Sequence, residues 1–196
     1  MTAKAHVALV TGVEDAITDA CVRQLEAAGF EVLDDQPVTR KIDALVFNPG
    51  LYDDTAAGPD PSQQAQRLRH LVDAHRQQLT SAEGGSVVAV SARDWLGAAP
   101  RIELAAAAGA LVATARSLAL AMAPAGVTVN TVLPGFRGTL PTDGARTEPR
   151  QLTSHEITSA DIANAVAFFA NPRSRYITGQ MFYVDGGSSL LSSLSV

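Results

Sequence analysis

Six carboxylates fall in apparent loops of the first third of the chain: Glu14, Asp15, Asp34, Asp35, Asp53 and Asp54. Brought together they could favour a cation, but their spacing matches no ligand pattern, and solvated turns are the simpler reading. His70 and His75 stand five apart on one helical stretch, off the i, i+4 spacing that clamps zinc, so surface histidines and no metal are expected. Ser91 closes an apolar run. Just beyond it, Arg93-Asp94-Trp95 offers an arginine for an anion and a tryptophan as a lid, although an exposed loop with Arg93 paired to Asp94 accounts for it as well. Cys21 is the single cysteine, set among small apolar residues, and reads as an inert buried thiol.

The elements that must position these groups alternate. Apolar runs at His6–Thr11, Phe30–Leu33, Ile42–Phe47, Ser86–Val90, Val127–Leu133 and Gln180–Val184 have the length of buried strands. Helical spacing covers Glu14–Ala28, Gln63–Thr80, Arg101–Ala123 and Ser159–Phe169, with Ser159 placed to cap the last. Strands alternating with helices predict right-handed βαβ units and one Rossmann-like α/β domain over residues 1–196. Its doubly wound, mostly parallel sheet would be covered on both faces. Ligands in such sheets sit at the carboxyl ends of the strands, where strand order reverses. Those ends are Gly12–Asp15, Asp34–Asp35, Asn48–Tyr52, Ser91–Trp95 and Pro134–Thr139.

Composition excludes several classes. The 196 residues are 46% hydrophobic and 18% charged, with a net charge of −5, which excludes disorder and allows a substantial core. The acidic balance argues against a nucleic-acid groove or an anionic membrane as partner. The long uncharged stretch from Ser117 to Phe136 is interrupted by Pro124, Gly126, Asn130 and Pro134, and so is not a membrane-spanning helix. A lone cysteine and no signal-like N-terminus set the expectation of a cytoplasmic protein.

Arg116-Ser-Leu-Ala-Leu-Ala-Met-Ala-Pro-Ala-Gly-Val-Thr-Val-Asn-Thr-Val-Leu-Pro-Gly135, Tyr176-Ile-Thr-Gly-Gln180 and Val184-Asp-Gly-Gly187 resemble the short-chain dehydrogenase/reductase family. Thr11-Gly12 and Asn48-Pro-Gly50 lie in the matching order. The resemblance implies an NAD(P)-binding oxidoreductase fold with cofactor contacts at Gly12, Asp34, Asn48, Gly50, Pro134, Gly135 and Thr139. It also places the family's serine at Ser91 or Ala92.

The chain departs from the family in three places. The family's phosphate turn reads Thr-Gly, three residues, then Gly-Ile-Gly. Here it reads Thr11-Gly12-Val13-Glu14-Asp15-Ala16-Ile17-Thr18, so only the first glycine survives. Two carboxylates stand at the helix start that attracts anions. Either they take the phosphate's role themselves, or they are ordinary first-turn acids stabilising the helix. Second, the family's Tyr-x-x-x-Lys aligns with Leu104 and Ala108, which transfer no proton. The chain's tyrosines (Tyr52, Tyr176, Tyr183) and lysines (Lys4, Lys41) offer no i, i+4 pair, so Ser91 is the one surviving catalytic candidate. Third, only a few residues separate Asp35 from Ile42, where the family has a helix, a strand and a further connection. The sheet should therefore be shorter by about one βα unit, with its second strand at an edge.

These readings combine into an expectation of a non-catalytic structural or regulatory subunit, with no cofactor or weak NAD(H) at best. Its partner would be itself or an active relative, with no nucleic acid and no membrane. An oxidoreductase with substitute groups, or a non-redox enzyme reusing the cleft, is the alternative. The family's assembly surfaces correspond to Arg101–Ala123 and Ile162–Ser188, and Leu104, Leu111 and Leu118 are expected to face a partner.

Overall fold

The computed structural model describes residues 6–34, 38–53, 60–80, 84–99, 101–135 and 152–191. Six strands, β1 (His6–Gly12), β2 (Phe30–Leu33), β3 (Ala44–Asn48), β4 (Ser86–Val90), β5 (Thr128–Pro134) and β6 (Met181–Val184), form one sheet in the order β2-β1-β3-β4-β5-β6. All five pairings are parallel. The central strands are apolar on both faces because helices cover both: every residue of β3, β4 and β5 is buried. This is the expected doubly wound α/β fold, and β2 is a sheet edge as the short Asp35–Ile42 interval predicts.

Helices α1 (Ala16–Ala27) and α5 (Ser159–Ala170) pack together on one face, while α2 (Gln64–Ala74) and α4 (Ile102–Met122) pack together on the other. Short helices α3 (Arg76–Leu79) and α6 (Ser188–Leu191), with four short 3-10 helices, complete the regular elements among the described residues. The helical stretch expected over Gln63–Thr80 is broken at His75 into α2 and α3. The third strand begins two residues later than expected, because the Ile42 amide donates to the Gln78 carbonyl (3.0 Å) instead of the ladder. Ser159 is not the cap of α5. Thr158 is, in a reciprocal box with Asp161 that satisfies a donor on each side.

A larger correction concerns α4. Leu104, Leu111 and Leu118 face the domain's own core, at 6%, 0% and 7% exposure. The outward stripe is Ile102, Ala106, Ala110, Ala113, Ser117 and Leu120. Ile102–Ala125 is long and apolar enough to cross a membrane, but nine side chains of α4 are buried within this domain, against β5 and α2.

Asp43 fastens the amino ends of three strands. Its carboxylate accepts from the Val7 amide (2.9 Å), its amide donates to the Val7 carbonyl (2.8 Å), and its carbonyl accepts from the Ser86 amide (2.9 Å). Burial opposes its charge, but the Lys41 ammonium at 2.5 Å, the Val7 amide and His6 outweigh that and hold the carboxyl below its ordinary range. A depressed folded pKa means stability that is complete above the unfolded value, near pH 4, and lost as pH falls through the folded value. Asp43→Asn is expected to cost about 1–2 kcal/mol at pH 7. It should also flatten the acid limb of a Tm-against-pH profile, which thermal unfolding between pH 2 and 7 measures.

Candidate functional site

Strand order reverses between β1 and β3, so their carboxyl ends, Gly12 and Asn48, open the crevice where this fold places a ligand. Gly12 is required there for two reasons. Its φ is +136°, and a Cβ would stand 1.9 Å from the Asn48 carbonyl oxygen. The Val13 amide donates to that same oxygen at 2.8 Å, which draws the turn down onto β3.

The turn then enters α1 through Asp15. This residue is extended (φ −152°, ψ 178°) and is the N-cap, so Glu14 lies outside the helix and the expected start at Glu14 is corrected. One Asp15 carboxylate oxygen accepts from the amides of Ile17 (3.0 Å) and Thr18 (2.9 Å). The other accepts from the Tyr52 hydroxyl in a short hydrogen bond. Asn48 completes the cluster, its Nδ2 lying 3.1 Å from Asp15 Oδ1, 2.9 Å from Thr18 Oγ1 and 2.8 Å from the Tyr52 hydroxyl. Thr18, at a position where the family carries glycine, fills the space beneath and donates to the Val13 carbonyl at 2.7 Å.

Tyr52 is 3% exposed. Burial, with the Asp15 carboxylate beside it, pushes its hydroxyl far above the ordinary tyrosine range, so it remains a donor at every physiological pH. Cys21, fully buried, is pushed up to about 12 by burial first and by Asp15 second, which makes it the inert thiol expected. The dinucleotide that the fold implies would need the first-turn amides for its diphosphate. Those amides are already donated to a carboxylate, and the Thr18 side chain stands where a glycine would leave room, so the diphosphate does not fit this turn.

Other expected site residues are placed as follows. Asp34 is exposed and lines a cleft of about 490 Å³ together with Gly12, Glu14, Glu26, Val10, Val32 and neighbouring residues. Asn48 and Gly50 adjoin one another, the Gly50 amide lying 3.3 Å from Asn48 Oδ1. Pro134 and Gly135 are buried, and a Cβ on Gly135 would stand 2.1 Å from the Asp185 Cβ, so close approach of two chain segments explains that glycine. Thr139, Asp35 and Asp54 lie outside the described residues. Ser91 is fully buried, and its hydroxyl donates to the Ala108 carbonyl at 3.2 Å, leaving no surface toward a substrate. Leu104 and Ala108 are both core residues.

The Arg93-Asp94-Trp95 corner differs from the expected exposed loop. Asp94 pairs with Arg101 at 2.9 Å, both nearly fully buried, and Trp95 Nε1 donates to the Tyr183 hydroxyl at 2.9 Å. Tyr52 closes the expected Asn48–Tyr52 strand end, but neither its partner nor that of Tyr183 was legible in sequence. Each meets its partner across a long interval, 37 residues for Asp15 and 88 for Trp95. Tyr183 borders a second cavity, of about 630 Å³, with His155, Glu156, Asp185, Phe168 and Phe182 among its lining.

Fold and crevice together define a Rossmann-like α/β domain. Residues 65–189 match a family model described as enoyl-(acyl carrier protein) reductase. The chain belongs to the short-chain dehydrogenase/reductase family. Among its relatives, two Thauera aromatica proteins named as subunits BbsD and BbsC of (2S)-[(R)-hydroxy(phenyl)methyl]succinyl-CoA dehydrogenase are 37% and 42% identical. They cover 55% and 57% of this chain, and 46% of each relative. The 3-oxoacyl-[acyl-carrier-protein] reductase FabG of Rickettsia bellii is 31% identical over 75% of this chain and 67% of its own. The chain thus spans about half the length of the first of these relatives. A solved structure described as a putative betaketoacyl-ACP reductase superposes with a TM-score of 0.78 at 24% identity, covering 94% of this chain and 98% of that one, which shows the shared fold.

Gly12→Ala combines a disfavoured φ with a backbone clash. It is expected to destabilise the domain by about 3 kcal/mol or more, read as a lowered urea midpoint. A midpoint within error of wild type would mean that the turn does not sit on Asn48 as described.

Proposed function

We propose that this chain is a member of the family that no longer transfers hydride and acts as a structural or regulatory subunit, alone or beside an active relative. The observation that carries this reading is the closed core at the aligned proton-transfer positions. Leu104 and Ala108 are 6% and 0% exposed, and the Ser91 hydroxyl is turned onto the Ala108 carbonyl. With the phosphate turn filled by Asp15, dinucleotide binding is weak at best. The naming of two relatives as different subunits of one dehydrogenase supports a mixed assembly of family chains.

Two apolar surfaces support assembly. One is the outward stripe of α4, where Ile102 and Leu120 are 68% and 81% exposed around small residues. The other joins the β6 edge to α5, where Phe182 and Phe168 are 47% and 50% exposed. Light scattering should give a dimer or tetramer, alone or on co-expression with the closest encoded relative. A monomer in both preparations would contradict the assembly. Ala110→Glu, on the outward stripe, is expected to disperse the assembly with the fold retained. Leu111→Glu buries an unpaired charge and should unfold the domain instead.

For the catalytic side, Leu104→Tyr with Ala108→Lys is expected to yield no carbonyl reduction, because the phosphate turn is changed as well. Robust turnover in that double variant would sink the reading. Calorimetric titration of wild type with NAD(H) and NADP(H) tests the cofactor directly. A low-micromolar Kd, about −8 kcal/mol, would contradict it.

One observation favours a second reading, a non-redox activity in the cavity beside β6. Trp95 Nε1 holds the Tyr183 hydroxyl at 2.9 Å on the rim of that space, which His155 and Glu156 also line. Under that reading Tyr183→Phe abolishes a hydrolytic or lyase activity that survives Ser91→Ala.

A further inference from the structure

The start of α1 is a complete anion site with its anion built in. The twelve-residue helix presents the Ile17 and Thr18 amides at its positive end, and the acceptor they meet is the Asp15 side chain. An ordinary N-cap carboxylate would need nothing more. This one also accepts from the Tyr52 hydroxyl in the turn after β3 and lies 3.1 Å from Asn48 Nδ2 at the end of β3. Both donors are themselves buried, at 3% and 0% exposure. The carboxylate therefore gathers donors from three segments, as a bound phosphate at this crevice would.

We infer that Asp15 is an internal substitute for a ligand phosphate, so that the crevice between β1 and β3 is ordered without a cofactor. The surroundings support exclusion of a second anion. Glu14 is exposed beside the turn, and Glu26 and Asp34 line the same cleft of about 490 Å³, so an incoming diphosphate meets carboxylates where it needs donors. This inference deepens the proposal that dinucleotide binding is weak at best, and its test can fail separately from that proposal.

The test is anion rescue of the full chain, read by thermal unfolding in inorganic phosphate against chloride of matched ionic strength. Asp15→Gly vacates the carboxylate. Because glycine is a tolerable N-cap, any Tm loss beyond a degree or two reports the broken ties to Tyr52 and Asn48. The expected result is a loss of several degrees, of which millimolar phosphate restores at least half, while wild type shows no phosphate-specific shift. The apparent Kd for phosphate should be at least tenfold tighter in the variant. Should Asp15→Gly not fold in chloride, recovery of a cooperative unfolding transition in phosphate is read in the same way, and no recovery overturns the inference. An equal phosphate response in wild type and variant, or none in either, overturns the inference. Tight NADH binding by wild type would defeat this and the proposed loss of dinucleotide binding together, whereas a folded variant indifferent to phosphate defeats this inference alone.

Discussion

A helix that begins inside a crevice must find partners for its first amides, and in this domain a single carboxylate meets that demand. Asp15 terminates the turn after β1 and fixes the start of α1, and its contact with Tyr52 fixes the turn after β3. The Gly12 backbone lies against the Asn48 carbonyl, with no space for a side chain. The Tyr52 hydroxyl, the Asn48 side-chain amide and the Val13 amide each serve an acceptor on another segment, so these contacts hold one another's geometry. In relatives with glycines at Ala16 and Thr18, the same place could admit a ligand's diphosphate. Here side chains fill it.

The missing βα unit belongs to the same account. With β2 at the edge, beyond β1, no further strand among the described residues walls the cleft bordered by Val32, Leu33 and Asp34. The edge is protected by charge: Glu31 on β2 and Arg40 form an exposed pair, and the arginine holds the Glu31 carboxyl below its ordinary range. The cleft and the turn filled by Asp15 lie side by side, the cleft bordered by Gly12, Glu14 and Asp34. On the other side the sheet runs from β3 to β6, where most of the family-model match falls and where both candidate assembly surfaces lie.

The strands were legible because a parallel sheet buried on both faces requires continuous apolar runs, as at Ser86–Val90 and Val127–Leu133, and few other structures do. The edge position of β2 was legible from the family resemblance, since too few residues follow Asp35 to build the helix and strand that the family has there. The inward face of α4 was not. A helix with alanine, leucine or valine on nearly every side has little amphipathic contrast, so the sequence could not say that Leu111 faces the core and Ala110 faces out. Helix caps were legible only to within a residue. Ser159 and Thr158 carry the same capping chemistry, and only Asp161 reaching back to Thr158 selects between them. At the site, Glu14 and Asp15 looked equivalent in sequence. Tyr52, 37 residues away, is what distinguishes them, and a loop tyrosine advertises no such partner.

The coupling between Asp15 and Tyr52 is therefore the quantity on which this account rests. It can be measured by a double-mutant cycle of Asp15→Asn and Tyr52→Phe, with stabilities from urea unfolding. A buried hydroxyl donating to a carboxylate that itself holds a helix start should give a coupling energy of about 1–3 kcal/mol. Additive losses, with a coupling inside about 0.3–0.5 kcal/mol, would mean that Asp15 merely caps a helix and that Tyr52 is packed nearby without holding it.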